Sequence, residues 1–188
     1  MQPGPHVEEM EAAIRLDGEG QRLLLSGERE AGTAKLLEAS ARYRRSWELA
    51  PPRSYGRLVG MLKAAVIAGD ADGPAGYARD QVGEADSPPG HYVLAVAALV
   101  LGDDDAAVAA AAGMRAGSPA FARAADGIEA IARGDEAAHA AAVRAVVADF
   151  EGRDEHLTGV AIADTALMLE RLGERRRLAA RVESALLP

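Results

Sequence analysis

An apolar stretch near the middle of the chain most limits what this sequence can fold into. Residues 89–101, PGHYVLAVAALVL, carry no charged side chain between His91 and Gly102. A helix that is apolar on every side is normally buried on every side, whereas crossing a bilayer takes about 20 residues. Because this run is shorter, we expect it to form the central helix of a globular protein, with the other helices laid around it.

The composition favours helices along the whole chain. Hydrophobic residues make up 49% of the 188 residues, but aromatic residues only 4%. Alanine, which has the highest helix propensity, is abundant, and the β-branched and aromatic runs that mark strands are nearly absent. The length fits one domain with a sizeable core. The sequence therefore predicts an all-α protein.

Helix-ending glycines recur at similar intervals. We predict inner turns at Gly32, Gly69, Gly102, Gly134 and Gly173, which are separated by 32 to 39 residues. This period is typical of stacked αα-hairpins, although a helical bundle with coincidental spacing is the alternative. We predict a single helical-repeat domain over residues 1–188. It comprises an N-terminal helix at 1–19 and hairpins at about 20–51, 54–85, 87–116, 118–151 and 154–184.

One segment resembles a known repeat. Gly27 is followed by Ala39, Tyr43 and Pro51 at the spacing of the tetratricopeptide motif, although Glu30 stands where that family prefers an aromatic residue. The resemblance implies about five antiparallel hairpins stacked as a tetratricopeptide-like right-handed superhelix. In that arrangement Ala39 lies close to the first helix of its hairpin, and Tyr43 fills the gap to the next hairpin.

The charge balance narrows the class of partner. With 21 basic and 29 acidic residues the net charge is −8, which repels nucleic acid and anionic lipid and attracts basic proteins. Arg175, Arg176 and Arg177 are predicted in a final helix, as a solvated face or as partners of acidic residues, with phosphate binding as the alternative. The N-terminal residues are acidic where a secretory signal needs basic residues, so we expect a cytoplasmic protein.

The sequence contains no recognisable catalytic, nucleotide-binding or metal-binding motif. The chain has no cysteine, which excludes disulfides and thiolate metal sites. No two of its four histidines are spaced i, i+4, and there is no HExxH, GxxxxGK[ST], GxGxxG or GxSxG motif. Three successive aspartates, 103–105, lack the alternating spacing of a calcium loop and predict a helix start. We therefore expect no catalytic residue, no metal site and no cofactor.

Four side chains are candidate binding residues because of where they fall in the repeat. Tyr55, His91, Tyr92 and Phe121 all lie near the starts of the first helices of successive hairpins. In helical-repeat proteins the first helices line the concave surface that holds a partner, and tyrosine is enriched among residues that dominate binding. The alternative is that these side chains pack between hairpins.

The later half of the chain is similar to the immunity-49 family of bacterial polymorphic toxin systems. The similarity lies in an apolar helix that runs into Leu101-Gly102-Asp103, in a second Arg133-Gly134-Asp135, and in the ending Leu186-Leu187-Pro188. It implies a small cytoplasmic protein that binds and neutralises a toxin without chemistry of its own. An acidic surface suits a basic toxin, because opposite charges accelerate association.

Three functions follow in order of preference. The first is a non-enzymatic protein that binds a protein or peptide, with a basic toxin as the favoured partner. The second is a scaffold or regulatory subunit that holds a peptide or an enzyme in the concave groove. The third is an enzyme whose site is assembled from scattered residues such as His91, Tyr55 and Asp164. The sequence leaves open whether the protein is a monomer or a homodimer.

Overall fold

The described chain folds into helices joined by turns and loops, as the sequence predicts. The structure is a computed structural model that describes residues 4–188, so the first three residues of the predicted N-terminal helix lie outside the described range. Nine helices are present within that range. They are α1 (Pro5–Leu25), α2 (Arg29–Leu49), α3 (Gly56–Ala68), α4 (Asp72–Val82), α5 (Pro88–Leu101), α6 (Asp104–Met114), α7 (Pro119–Arg133), α8 (Glu136–Glu151) and α9 (Asp164–Glu174). None of the nine combines the length and the apolar character needed to cross a membrane.

The first hairpin is longer than the sequence predicts. The N-terminal helix is predicted to end near residue 19 and Gly32 to form the inner turn, but Gly18, Gly20 and Gly32 all lie inside α1 or α2. A Cβ atom on Gly20 would lie 3.0 Å from the carbonyl oxygen of Gly32, and a Cβ on Gly32 equally close to that of Gly20. The glycines therefore let two long helices approach closely, and the turn lies instead at Gly27.

Four first helices end in the same way. At the ends of α1, α3, α5 and α7 stand Gly27, Gly69, Gly102 and Gly134, all with φ between 67° and 85°. The amide after each of these glycines donates to a carbonyl five residues earlier, at 2.8–3.1 Å. This is the Schellman motif, in which a left-handed residue ends the helix, and glycine adopts that conformation without strain. Three of the five predicted turn glycines, all but Gly32 and Gly173, are therefore confirmed.

The predicted fifth hairpin, 154–184, is wrong. Residues 152–163 form a loop, and the last described helix is α9 alone, which contains Gly173. After α9, Arg177 takes the left-handed position with φ 62°, and the amide of Leu178 donates to the carbonyl of Gly173 at 2.9 Å. In place of a second helix, irregular chain follows in the described residues, and Arg175 and Arg176 donate to carbonyl groups at the end of α5.

The array of helices closes on itself. The apolar helix α5 lies between α4 and α6 and also touches α3 and α7, whereas α9 touches α3, α7 and α8. Leu169 of α9 packs where a Cβ on Gly127 of α7 would lie, at 2.6 Å. The last described helix thus packs back against two of the first helices, α3 and α7. The prediction that α5 is buried on all sides is nearly correct, but Leu101 at its end is 39% exposed.

Candidate functional site

An apolar groove runs along the one face of α5 that the other helices leave open. Its floor consists of side chains of α5 spaced along one helix face, His91, Leu94, Ala98 and Leu101. The walls are Arg79 and Gly83 from α4, with Asp103, Ala106, Ala109 and Ala110 from α6. The groove has a volume of about 410 Å³. Small residues on both walls allow another chain to approach the floor closely.

His91 is the one predicted binding residue that lines this groove. Its ring lies over α6, where a Cβ on Gly113 would come within 2.5 Å of the ring atoms. The absence of a side chain at Gly113 therefore makes room for the imidazole between α5 and α6. One edge of the ring forms part of the groove floor, so His91 can contact a bound partner.

Two of the other three predicted residues pack inside the protein. Tyr55 is only 8% exposed and stacks on Trp47, with 5.7 Å between ring centroids. Tyr92 is 5% exposed, and its hydroxyl lies 3.7 Å from the sulfur of Met168 on α9. The prediction that these two tyrosines face a partner is wrong, because α9 and the neighbouring helices cover the surface on which they were placed.

Phe121 has an intermediate position. It is half-buried, and its ring meets that of Tyr92 edge to face, 5.9 Å away. The two rings line a small cavity of about 160 Å³ between α3, α5, α7 and α9, together with Lys63 and Thr165. Phe121 and His91 therefore lie on different cavities, and the four predicted residues do not form one site.

A buried ion pair joins α3 to α9. The ammonium of Lys63 donates to Asp164 Oδ2 at 3.0 Å and to Thr165 Oγ1 at 3.2 Å, and Thr165 in turn donates to Asp164 Oδ1. Both charged side chains are less than 20% exposed. Burial lowers the pKa of Lys63, but the facing carboxylate of Asp164 outweighs it and the net direction is upward. The lysine is therefore held as a cation and does not act as a general base.

Next to this pair a second buried carboxyl lies within α1. Asp17 accepts hydrogen bonds from Gln21 Nε2 at 2.9 Å and from Tyr43 Oη at 3.1 Å, and Thr158 of the loop donates to Gln21. Burial, and then the charge of Asp164, raise the pKa of Asp17 to about 6. Burial also raises the pKa of Tyr43, and the nearby Asp17 charge adds to this. Such perturbed groups concentrate at functional sites and also occur in structural networks.

Of the residues in this polar network, only Asp164 was predicted from the sequence as part of a catalytic site, in the enzyme alternative, whereas Tyr43 was predicted as a packing residue. Asp164 meets Lys63, whereas His91 lines the groove and Tyr55 stacks on Trp47, so the structure does not assemble that proposed site. Lys63 and Asp17 were missed. The available signal was a lone charged side chain on an otherwise apolar helix face, since Lys63 follows Met61 and Leu62 and precedes Ala64.

The arginines near the end of the chain serve the fold. Arg175 donates to Asp72 Oδ1 at 2.7 Å and to the carbonyl of Val100, while Arg176 donates to Asp104 and to the carbonyl of Leu99 at 2.9 Å. These carbonyls belong to the last turn of α5, where cations are favoured by the helix dipole. The prediction that acidic residues neutralise these arginines is correct for both. Their placement in a final helix is wrong.

No group of three histidine, aspartate or glutamate side chains in the part of the chain that the structure describes is arranged to hold a metal ion. Comparisons of the chain with protein-family models, with curated proteins and with solved structures found no match. The functional argument therefore rests on the groove, the polar network and the distribution of charge.

Proposed function

We propose that this protein binds another protein without catalysing a reaction, and that the α4–α5–α6 groove holds an apolar helix of the partner. The observation that carries the proposal is the open face of α5. Leu101 of this helix is exposed and Leu94 is half-buried, and they lie with the buried Ala98 between walls that include Gly83, Ala106 and Ala109. An amphipathic helix binds such a groove through side chains spaced i, i+3, i+4 and i+7.

The charge distribution favours a basic partner. Residues 152–188 contain six basic and six acidic side chains, so the net charge of −8 rests on residues 1–151, which include the groove. Carboxylates stand near both ends of the groove, Glu84 beyond α4 and Asp103 and Asp105 at the start of α6. Acidic surfaces accelerate association with basic proteins and orient them before contact. The proposed partner is a basic toxin that the protein neutralises.

The proposed fold supports this function. The helix pairs form a tetratricopeptide-like right-handed stack in which α9 fills the inner surface. Support comes from the recurrent Schellman turns and from Tyr43, which packs against α3 where a Cβ on Gly60 would lie, at 2.8 Å. Because α9 covers the inner surface, the partner binds on the outer side, at the groove.

The experiment is a parallel affinity capture with matched variants. The tagged protein, Leu101→Glu and Leu157→Glu are each incubated with lysate of the source organism. Leu101 lies in the groove and Leu157, which is 73% exposed, lies on the loop after α8. We expect one basic partner with the parent and with Leu157→Glu, and its loss with Leu101→Glu. Equal capture by all three proteins would place the binding surface elsewhere.

A second step separates the toxin from other partners. The captured partner is expressed alone and together with the parent protein, Leu101→Glu or Leu157→Glu. Growth arrest that only the parent and Leu157→Glu relieve is the expected result for a neutralised toxin. A partner that does not arrest growth would instead favour the scaffold function.

Circular dichroism of each variant tests whether the helices are intact. We expect them to be, since a charge at an exposed position has a small effect on folding.

A further inference from the structure

The loop of residues 152–163 covers a second cavity, on the opposite side of Lys63 from Tyr92 and Phe121. This cavity has a volume of about 210 Å³. It is enclosed by Phe150 at the end of α8, by the loop, and by Lys63, Asp164 and Thr165 on α3 and α9. Drug-sized ligands occupy about 300–1,000 Å³, so this volume fits a smaller metabolite.

The polar side of the cavity has hydrogen-bond donors that the protein itself does not pair. An ammonium has three N–H groups, and Lys63 uses two of them on Asp164 and Thr165. Arg153 lines the same cavity; its guanidinium stacks on Phe150, 3.7 Å from the ring centroid, and binds Asp149 through one of its nitrogens. His156 also lines the cavity, and its Nδ1, which is buried, has no hydrogen-bond partner among the described residues. Buried polar atoms normally have a partner.

The charged side chains around the cavity favour the binding of one anion. Asp164 is neutralised by Lys63, and Asp149 lies between Arg123 and Arg153, which both bind it. Among the side chains that line the cavity, Lys63 and Arg153 are basic and only Asp164 is acidic, so the lining carries a net positive charge. An amine would meet two cations there, whereas an oxyanion would meet hydrogen-bond donors from Lys63, Arg153 and His156.

The other side of the cavity is apolar. Phe150, Val160 and Ile162 are each less than 10% exposed and form its inner wall, and Leu157 lies at its opening. Inorganic phosphate would leave this wall without a contact, whereas a short alkyl chain would bury apolar surface against it. The two sides of the cavity thus complement an anionic head and an aliphatic tail.

We propose that this cavity binds a small aliphatic carboxylate, with the carboxylate held by Lys63, Arg153 and His156 and the alkyl chain held by Phe150, Val160 and Ile162. The site is separate from the groove on α5 and does not depend on the proposed partner. The ligand stabilises the 152–163 loop, because it bridges that loop to α3.

The test is an NMR titration of the full-length, ¹⁵N-labelled protein with sodium butyrate. We expect saturable shifts of amide signals in residues 152–165, with a dissociation constant in the millimolar range that suits a ligand of so few atoms. Inorganic phosphate, which lacks the tail, and butylamine, which carries the opposite charge, are titrated in parallel. Both should bind at least about tenfold more weakly than butyrate.

Variants locate the site. Lys63→Met and Arg153→Gln should each weaken butyrate binding at least about tenfold, and Lys35→Met on the surface of α2 should leave it unchanged. Arg153 is largely exposed, so its variant keeps the proposal testable if Lys63→Met does not fold. No saturable shift with butyrate, equal binding of phosphate, or unchanged binding by Arg153→Gln would overturn the proposal.

Discussion

The helix pairs from α1 to α8 and the segment after them are stabilised in different ways. The pairs pack through apolar side chains and close glycine contacts, such as Gly20 against Gly32, and all four first helices, α1, α3, α5 and α7, end at a glycine turn. The C-terminal segment has one helix, α9, flanked by irregular chain. It is tied to the rest by polar contacts over long sequence distances, including Lys63–Asp164 and Arg176–Asp104.

The difference lies in what covers the first helix of each pair and what covers α9. In α1–α8 each first helix is covered by the helix that follows it. No helix follows α9 within the described chain, so α9 is buried instead against α3 and α7. The acidic charge also belongs to the helix pairs, since residues 152–188 are balanced. The proposed protein-binding groove and the proposed carboxylate cavity accordingly lie in regions of different charge.

The largest expected effect tests whether α9 is part of the core. Leu169→Ala should lower the free energy of unfolding by about 2–5 kcal/mol, because the leucine is fully buried against Gly127 and its removal leaves a cavity. Leu157→Ala, on the exposed loop, should have almost no effect. Urea unfolding curves provide the measurement. Equal stability of the two variants would mean that α9 is only loosely attached.

The second-largest expected effect on stability concerns the polar network of Asp17, Lys63 and Asp164, which lies between the helix pairs and the C-terminal segment. The folded-state pKa of Asp17, about 6, exceeds its ordinary value of 3.8. The carboxyl therefore favours the folded state below about pH 4, and this contribution is lost as the pH rises through 6. Asp17→Asn should gain stability relative to the parent between pH 4 and pH 7, by up to about 3 kcal/mol.

Urea unfolding at both pH values measures this gain, with Asp105→Asn as an exposed control. Burial lowers the pKa of His139, so its contribution is lost as the pH falls, the opposite sign. That contribution is common to parent and variant and cancels in their difference. A difference that is the same at pH 4 and pH 7 would contradict the raised pKa of Asp17.

A third prediction tests the close helix contact in the first pair. Gly20→Ala should destabilise the protein by about 1–3 kcal/mol, because its Cβ would meet Leu36 at 2.8 Å and the carbonyl of Gly32 at 3.0 Å. Gly76→Ala in α4, where nothing lies within 4 Å, should stabilise it by about 0.5–1 kcal/mol through helix propensity. Thermal melts of both variants measure the contrast, and a stabilised Gly20→Ala would refute the contact.

The smallest expected change in stability tests the ion pairs and hydrogen bonds that join the C-terminal segment to the helix pairs. Arg176→Gln should cost about 1 kcal/mol in unfolding free energy, because its half-buried guanidinium binds the carbonyl of Leu99 and the carboxylate of Asp104. Arg133→Gln removes an ion pair of a 62% exposed side chain and should change stability by less than about 0.5 kcal/mol. If both variants melt like the parent, apolar packing alone holds the segment.

The parts of the fold that the sequence predicts are those set by neighbours along the chain. The all-helical class, the central position of α5 and the turns at Gly69, Gly102 and Gly134 follow from propensity, apolar patterning and helix-ending signals. The first turn was misplaced because a glycine in a helix can serve either as an end or as a contact surface. Gly20 and Gly32 are contact surfaces, which only the partner helix reveals.

The positions of the site residues depended more on contacts between segments that are far apart in the sequence. His91 was predicted because it begins a first helix, and it does line the groove, but the groove exists because α4 and α6 leave one face of α5 open. Lys63 and Asp164 are 101 residues apart, and their pairing has no signal in either local segment. Tyr92 was misplaced for the same reason, since α9 reaches it from 76 residues away.

By itself the sequence determined the all-helical class, the approximate ends of α3 to α8, the absence of cysteine chemistry and the acidic balance, because each of these depends on residue type and near neighbours. Tertiary structure alone decided that α9 packs back on α3 and α7, that no second helix follows α9 in the described chain, and that the apolar groove and the polar cavity form. The physical reason is that a helix end or a buried charge is stabilised by whichever distant group satisfies it. For Arg176 and Lys63 those groups lie on α5, α6 and α9.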